Sequence, residues 1–317
     1  MSNYLSIKLK QIKYSGDNIG RELKFKLKIG DQVAEMSIKL PRGESRSLNK
    51  VIFQKTSKEK IIALPIATEV KETSERHIDF GSGTSRFKIQ LKEGRIQKNI
   101  FDIEVKGSGR EKGKTGIFTF ILEASVEPAL CYVSDVWPNG WLRVKFDNGD
   151  IYPLPQTLKV EMIKIEKGHE YFNILEGRFR GRKASVGLED GQSHLSRKGK
   201  HKGPARLVFD QKAEKLAING LGIYNTDMDE NNPLPPGRYA LEIPDEPHRR
   251  GEIYMEYSKY AKTWFRIGHQ GSRFLHVGSA SGGCITVTDK KKWTEIYNFL
   301  IRSRKDTISI GEVLVKQ

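Results

Sequence analysis

Apolar and polar positions alternate in steps of two through residues 1–128. Leu5, Ile7 and Leu9 interleave with Ser6, Lys8 and Lys10, and Leu23, Phe25, Leu27 and Ile29 interleave with Lys24, Lys26 and Lys28. The period returns in Met36 to Leu40, Phe87 to Leu91, Ile100 to Val105 and Ile117 to Leu122. Successive side chains of a strand point to opposite faces, so each segment presents one apolar row and one polar, often lysine-bearing, row. Strands of this kind, separated by Gly, Ser and Asn turns, predict an antiparallel β-sandwich.

Pro128 marks a boundary, and residues 129–203 read as a second, smaller β module. Trp141 to Phe146 is a strand, Asp147-Asn-Gly-Asp150 a hairpin turn, and Leu158 to Ile165 a further strand. Trp137, Trp141, Tyr152 and Tyr171 are either the core of a small barrel or an aromatic groove for a peptide or glycan. The basic run Arg197 to Gly203 reads as a solvated linker or as an electrostatic contact with substrate.

Residues 204–317 resume the β pattern. Ala205 to Ile218 reads as a hairpin, and Asn225 to Asn232 as a polar loop. Pro233 to Gly237 forms a rigid turn before a strand from Arg238 to Ile243. Strands are expected at Ile253 to Tyr257 and Trp264 to Ile267. One helix is expected from about Asp289 to Arg304, because Trp293, Ile296, Tyr297, Leu300 and Ile301 share one helical face. Thr288 or Asp289 is its expected cap. Ile308, Ile310, Val313 and Val315 make a closing strand. The expected fold class is mainly β, in three domains: 1–128, 129–203 and 204–317.

Candidate chemistry concentrates in Phe274-Leu-His-Val-Gly-Ser-Ala-Ser-Gly-Gly-Cys-Ile-Thr-Val287. Cys284 sits at the mouth of a β-branched run, beside small residues and downstream of two histidines. A free thiol is only a few per cent thiolate at neutral pH, so a nucleophilic cysteine needs a neighbouring base or an ion pair with one. His276, eight residues upstream, ends an apolar segment and is the favoured base. His269, fifteen residues upstream, is the rival. Backbone amides of Gly283 and Cys284 are candidates to hold an oxyanion. Ser279 and Ser281 are candidates to orient the histidine or contact substrate, and Gly278 to let substrate approach. Arg266 and Arg273 flank the histidines and are candidates to hold a substrate carboxylate. The same residues also fit a buried structural cysteine in a glycine-rich turn.

His-x-Gly followed by Ser-x-Gly-Cys-Ile resembles the signature of L,D-transpeptidase catalytic domains, the YkuD-like group. Arg206 to Ile218 resembles that family's opening hairpin, and Pro233-Leu-Pro-Pro-Gly-Arg-Tyr239 is similar to its Thr-Pro-x-Gly-x-Phe turn. The resemblance covers residues 204–317 and implies a mostly β domain with one packed helix and a Cys-His thioester mechanism. It implies peptidoglycan stem peptides as substrates, processed by transpeptidation, carboxypeptidation or D-amino-acid exchange. Two positions depart from the family pattern: Gly282 stands where a His or Lys is usual, and Thr286 where an Arg or Asn is usual. The N-terminal segment faintly resembles a C2-type sandwich. Glu176 to Val186 resembles the glycine-basic loop of KOW and SH3-like barrels.

Charge adds a second reading. The chain carries 55 Lys and Arg against 39 Asp and Glu, a net charge of +16. Such a field suits anionic lipid, cell-wall polymers, carboxylate-bearing peptides or nucleic acid. The alternative function is therefore a non-catalytic protein that binds cell wall or an anionic polymer. No helix-turn-helix, zinc spacing or aromatic RNA-binding pattern points to a specific nucleic acid. Cys131 and Cys284 fit no metal-ligand spacing, and the scattered Asp17, Asp31, Asp79 and Asp102 fit no calcium site, so neither metal nor cofactor is expected. No signal peptide and no membrane span is legible. A cell-envelope or secreted protein lacking a visible leader is the expectation, with delivery as an effector as one route.

Overall fold

The structure, a computed structural model, describes residues 2–73, 78–134 and 139–317. Trp137, and with it one edge of the expected aromatic groove, lies outside the described residues. The chain is mainly β, with 56% strand and 6% helix. It forms two compact units, Met1–Ala129 and Leu130–Gln317.

The first unit holds β1 (Asn3–Gly16), β2 (Glu22–Ile29), β3 (Gln32–Lys39), β4 (Ser45–Ser57), β5 (Ile61–Glu72), β6 (Asp79–Gln90), β7 (Ile96–Lys106) and β8 (Thr115–Pro128). Their order is β3-β2-β5-β6-β7-β8-β1-β4. The join between β6 and β7 is the single pair Phe80↔Lys106. The sheet therefore works as two four-stranded antiparallel layers. Phe25 of one layer meets Phe120 of the other edge-on, with ring centroids 5.7 Å apart. On β2 the alternation read from the sequence is realised, with Leu23, Phe25, Leu27 and Ile29 buried and Lys24, Lys26 and Lys28 exposed. Where β3 and β4 approach, the Gln32 side chain donates to the Gln54 carbonyl and accepts from its amide, at 2.8 and 3.1 Å.

In the second unit, β9 (Leu130–Val133), β10 (Trp141–Phe146), β11 (Ile151–Pro155), β12 (Lys159–Glu166), β13 (His169–Ile174), β14 (Lys183–Gly187) and β15 (Leu195–Ser196) make one sheet. Its order is β11-β10-β14-β13-β12-β9-β15. The Asn148-Gly149 turn joins β10 to β11, and Gly149 takes the left-handed backbone that such turns need. Trp141 and Tyr152 do not pool into a groove. Trp141 is buried and donates its indole N–H to Thr263 Oγ1 at 3.0 Å, whereas Tyr152 stacks on Phe146. Tyr171 lies under the Lys164 ammonium.

The remainder holds β16 (Ala205–Asp210), β17 (Lys215–Ile218), β18 (Gly222–Asp227), β19 (Gly237–Glu242), β20 (Phe265–Arg266), β21 (Phe274–Val277), β22 (Ile285–Val287), α1 (Trp293–Leu300) and β23 (Ser309–Lys316). The order is β19-β23-β16-β17-β18-β22-β21-β20, and the bridge Leu241↔Ile267 brings the two edges together. α1 buries Trp293, Ile296, Tyr297 and Leu300.

Four expectations change here. Ile253 to Tyr257 is not a strand: a 3-10 turn spans Arg249–Tyr254. Its apolar side chains find no core, and Ile253 is 72% exposed. The helix is shorter than the apolar face implies, because Lys290–Lys292 is a 3-10 turn. Asp289 does not cap it; its carboxylate instead takes the Asn225 backbone and side-chain N–H groups at 2.7 and 2.9 Å. The run Arg197 to Gly203 is a packed strap rather than a solvated linker. The Lys202 amide donates to the Arg302 carbonyl at 2.8 Å, and His201 donates to the Thr157 carbonyl at 2.7 Å.

A buried ion pair joins the smaller sheet to the segment after α1. Arg304 Nε lies 2.9 Å from Glu176 Oε2, and both side chains are almost fully enclosed. Nη1 donates to the Ile301 and Ser303 carbonyls at 2.9 and 2.7 Å, and Nη2 lies 3.4 Å from the Thr157 carbonyl and hydroxyl. Satisfying the leftover donors in this way is what makes a buried pair tolerable.

Candidate active site

β21 and β22 run parallel, with Leu275 opposite Ile285, His276 opposite Thr286 and Val277 opposite Val287. Extending this register by one residue brings Cys284 opposite Phe274. Side chains two apart on a strand share a face, so Phe274, His276, Cys284 and Thr286 lie on one side of the pair. The pairing thus sets on one face a thiol and an imidazole that stand eight residues apart in the chain, with no hydrogen bond between them.

Cys284 opens into a cleft of about 640 Å³. Trp264, Phe274 and His276 line it on the sheet side, and His248, Arg250, Ile253 and Tyr254 line it from the 3-10 turn. Ser272, Ala280 and Gly282 complete the rim. His276 is buried and stacks on Trp264 with centroids 3.9 Å apart and planes 10° from parallel. His248 stacks on Trp264 as well, at 3.5 Å and 6°.

The hydrogen bonds of His276 define its tautomer. Nδ1 lies 2.9 Å from the Val277 carbonyl, which only accepts, so Nδ1 carries the proton. Nε2 is then the basic nitrogen, and Thr286 Oγ1 lies 3.3 Å from it. Burial pushes the His276 pKa down to about 4, against the opposite pull of the Val277 bond. Burial also pushes the Cys284 thiol up, partly offset by the Phe274 amide and by Arg273 and Arg250. Both groups are therefore neutral at pH 7. A resting thiolate–imidazolium pair, one of the arrangements the sequence suggests, is not the state this environment favours. The Cys284 sulfur instead lies 3.9 Å from the Ser272 carbonyl, a weak bond.

The turn before Cys284 is tightly built. Ser281 Oγ donates to the Cys284 carbonyl at 2.8 Å and accepts from the Gly283 amide at 3.2 Å. That contact occupies the Gly283 N–H, which is not free to hold an oxyanion in this arrangement. Gly283 has φ +101°, and a Cβ there would collide with the Arg273 guanidinium and with Asn232. Gly278 likewise leaves room for the Thr286 methyl and the His276 ring. Ser279 is exposed, and its amide donates to the Tyr254 hydroxyl at 3.0 Å, tying the 3-10 turn to the far end of β21.

The other candidates fall elsewhere. His269 is exposed and pairs with Glu242 at 2.7 Å, outside the cleft lining. Arg266 lies between Glu242 and Asp245, at 3.4 and 3.7 Å. Arg273 donates to the Asn232 carbonyl at 2.7 Å and side-chain oxygen at 2.6 Å, and also to the Gly283 carbonyl. Both arginines are engaged as scaffold in this structure. His248, Arg250 and Trp264 are cleft residues that sequence reasoning missed, since nothing in the run Pro247-His-Arg-Arg250 marks it as part of a site. Among the described residues no group of three or more His, Cys, Asp or Glu is placed to hold a metal ion. No helix among them is long and apolar enough to cross a membrane.

The chain matches no protein-family profile and no curated protein. Among solved structures it is similar to human GIVD cytosolic phospholipase A2. In its complex with methyl gamma-linolenyl fluorophosphonate and terbium chloride, that protein aligns at 8% identity with a TM-score of 0.26, over 66% of this chain and 34% of its own. A second structure of the same human enzyme gives 8% identity, a TM-score of 0.25 and coverages of 58% and 30%. The chain thus spans about a third of the length of these proteins. Likeness this low carries no functional inference.

Proposed function

We propose that this protein is a cysteine acyl-transfer enzyme acting on peptidoglycan stem peptides. The observation that supports this reading is the placement of Cys284 and His276 on one face of the β21–β22 pair, beside an open cleft. The Ser-x-Gly-Cys-Ile segment and its resemblance to L,D-transpeptidases supply the substrate class.

In this reading the Thr286 hydroxyl, which holds the imidazole at rest, turns from Nε2 to the Ala280 carbonyl and frees the Nε2 lone pair. The Cys284 sulfur attacks an amide carbonyl, His276 Nε2 takes the thiol proton as the S–C bond forms, and that proton passes to the departing amine as the C–N bond breaks. The product is a thioester at Cys284. An amine, a D-amino acid or water then attacks the thioester, gives its proton to His276, and the sulfur leaves and is reprotonated. Proton transfer is concerted with attack, because neither group is charged at rest. General-base assistance of this type is worth roughly 10²–10⁴ in rate.

The test is incubation with purified stem fragments, with products followed by mass spectrometry and Cys284→Ala alongside. Loss or exchange of a terminal D-residue, or a new cross-link, absent from the variant, is the expected result. The raised thiol pKa favours one second reading, a cell-wall adaptor with an inert cysteine. Equal inertness of both proteins, with cell wall still retained by each, would replace the enzyme by that adaptor.

A further inference from the structure

We propose that Arg250 is the carboxylate anchor of the Cys284 cleft, so that the thiol acts on acyl donors carrying a carboxylate close to the reacting carbonyl. This deepens the acyl-transfer reading and rests on it for the word donor.

Of the side chains lining the cleft, Arg250 alone carries a fixed charge, and no carboxylate faces it there. The two imidazoles are held neutral by burial, His276 most strongly. The remaining lining is apolar, hydroxyl-bearing or glycine. The arginines nearer to Cys284 in sequence are already engaged: Arg266 by Glu242 and Asp245, Arg273 by Asn232 and Gly283. Arg250 is exposed and takes part in none of the ion pairs found among the described residues. Its charge is nevertheless felt at both His248 and Cys284. A guanidinium with free donors in a neutral cleft is a fork for a carboxylate, bound through two parallel N–H bonds. The cleft volume of about 640 Å³ falls within the range of about 300–1,000 Å³ usual for small-ligand pockets, enough for a short peptide end.

Alkylation of Cys284 by two reagents of nearly equal size, iodoacetate and iodoacetamide, tests this on the full-length protein. Peptide mass spectrometry gives the rate at Cys284 separately from buried Cys131. Any change in thiol pKa moves both rates together, so the iodoacetate-to-iodoacetamide ratio isolates attraction for the carboxylate. The ratio is expected to fall about tenfold in Arg250→Gln. It should be largely kept in Arg250→Lys and unchanged in Arg249→Gln, whose side chain does not line the cleft. Equal ratios in wild type and Arg250→Gln overturn the proposal. A falling ratio without any Cys284-dependent product from stem fragments supports the anchor and removes acyl transfer. Cys284-dependent turnover with an unmoved ratio removes the anchor alone.

Discussion

Thr286 Oγ1 lies 3.3 Å from His276 Nε2, directly across the parallel pair of strands that carries Cys284. Thr286 is fully buried and stands two residues after the cysteine, at a position where the resembling family usually has Arg or Asn. The hydroxyl also lies 3.5 Å from the Ala280 carbonyl, so it links His276 to the turn that precedes Cys284.

Thr286→Val keeps shape and removes the hydroxyl. Under the proposed acyl-transfer reading it is predicted to lose roughly tenfold to hundredfold in Cys284-dependent turnover, with KM little changed and near-UV circular dichroism preserved. Thr286→Ser should restore most of the rate. Full activity in the valine variant would show that His276 needs no such partner.

The two buried histidines predict an acid-sensitive fold. Burial lowers His276 to about 4, and burial with the nearby Arg304 charge lowers His201 to about 4, against 6.5 for a free imidazole. Between those values the unfolded chain binds more protons than the folded one. Stability is therefore complete above pH 6.5 and is lost as pH falls towards 4. For His276 alone the loss is on the order of 3 kcal/mol. Urea unfolding at pH 7.5 and 4.5 measures it, and His276→Gln should flatten the slope. A pH-independent midpoint would contradict the buried neutral state.

Cys284 should titrate late. Burial raises the thiol, so iodoacetamide labelling is expected to keep rising beyond pH 9. A labelling plateau already reached below pH 7 would reveal a thiolate–imidazolium pair and refute the concerted proton transfer.

Removing Glu176 should cost about 3–5 kcal/mol, since it strands the Arg304 guanidinium in the interior, whereas Glu176 keeps Lys159 at 3.1 Å when Arg304 is removed. Glu176→Ala is predicted to lower the urea midpoint of the Leu130–Gln317 unit strongly. Half-exposed Lys164, paired with Glu166, should be nearly silent when changed to Ala. Similar midpoints for both variants would show the buried pair to be dispensable.

Six of the eight strands of the first unit, all but β4 and β5, were legible because period-two burial is a local property: each residue's face follows from its neighbour's. The hairpin of β10 and β11 was legible for a similar reason, since Asn148-Gly149 prefers the turn it makes. The segment around Cys284 stood out through its glycines, serines and β-branched flank, all close in sequence. Which of His276 and His269 lines the cleft with Cys284 was not local. It depends on β21 lying parallel to β22, whereas His269 turns outward to Glu242. The partners of Arg266 and Arg273, the wall formed by His248 and Arg250, and the neutral state of thiol and imidazole depend on contacts made by distant segments. Alternation and turn chemistry are thus written residue by residue. Charge state, cleft lining and ion pairing arise from desolvation and from neighbours that only the folded chain assembles.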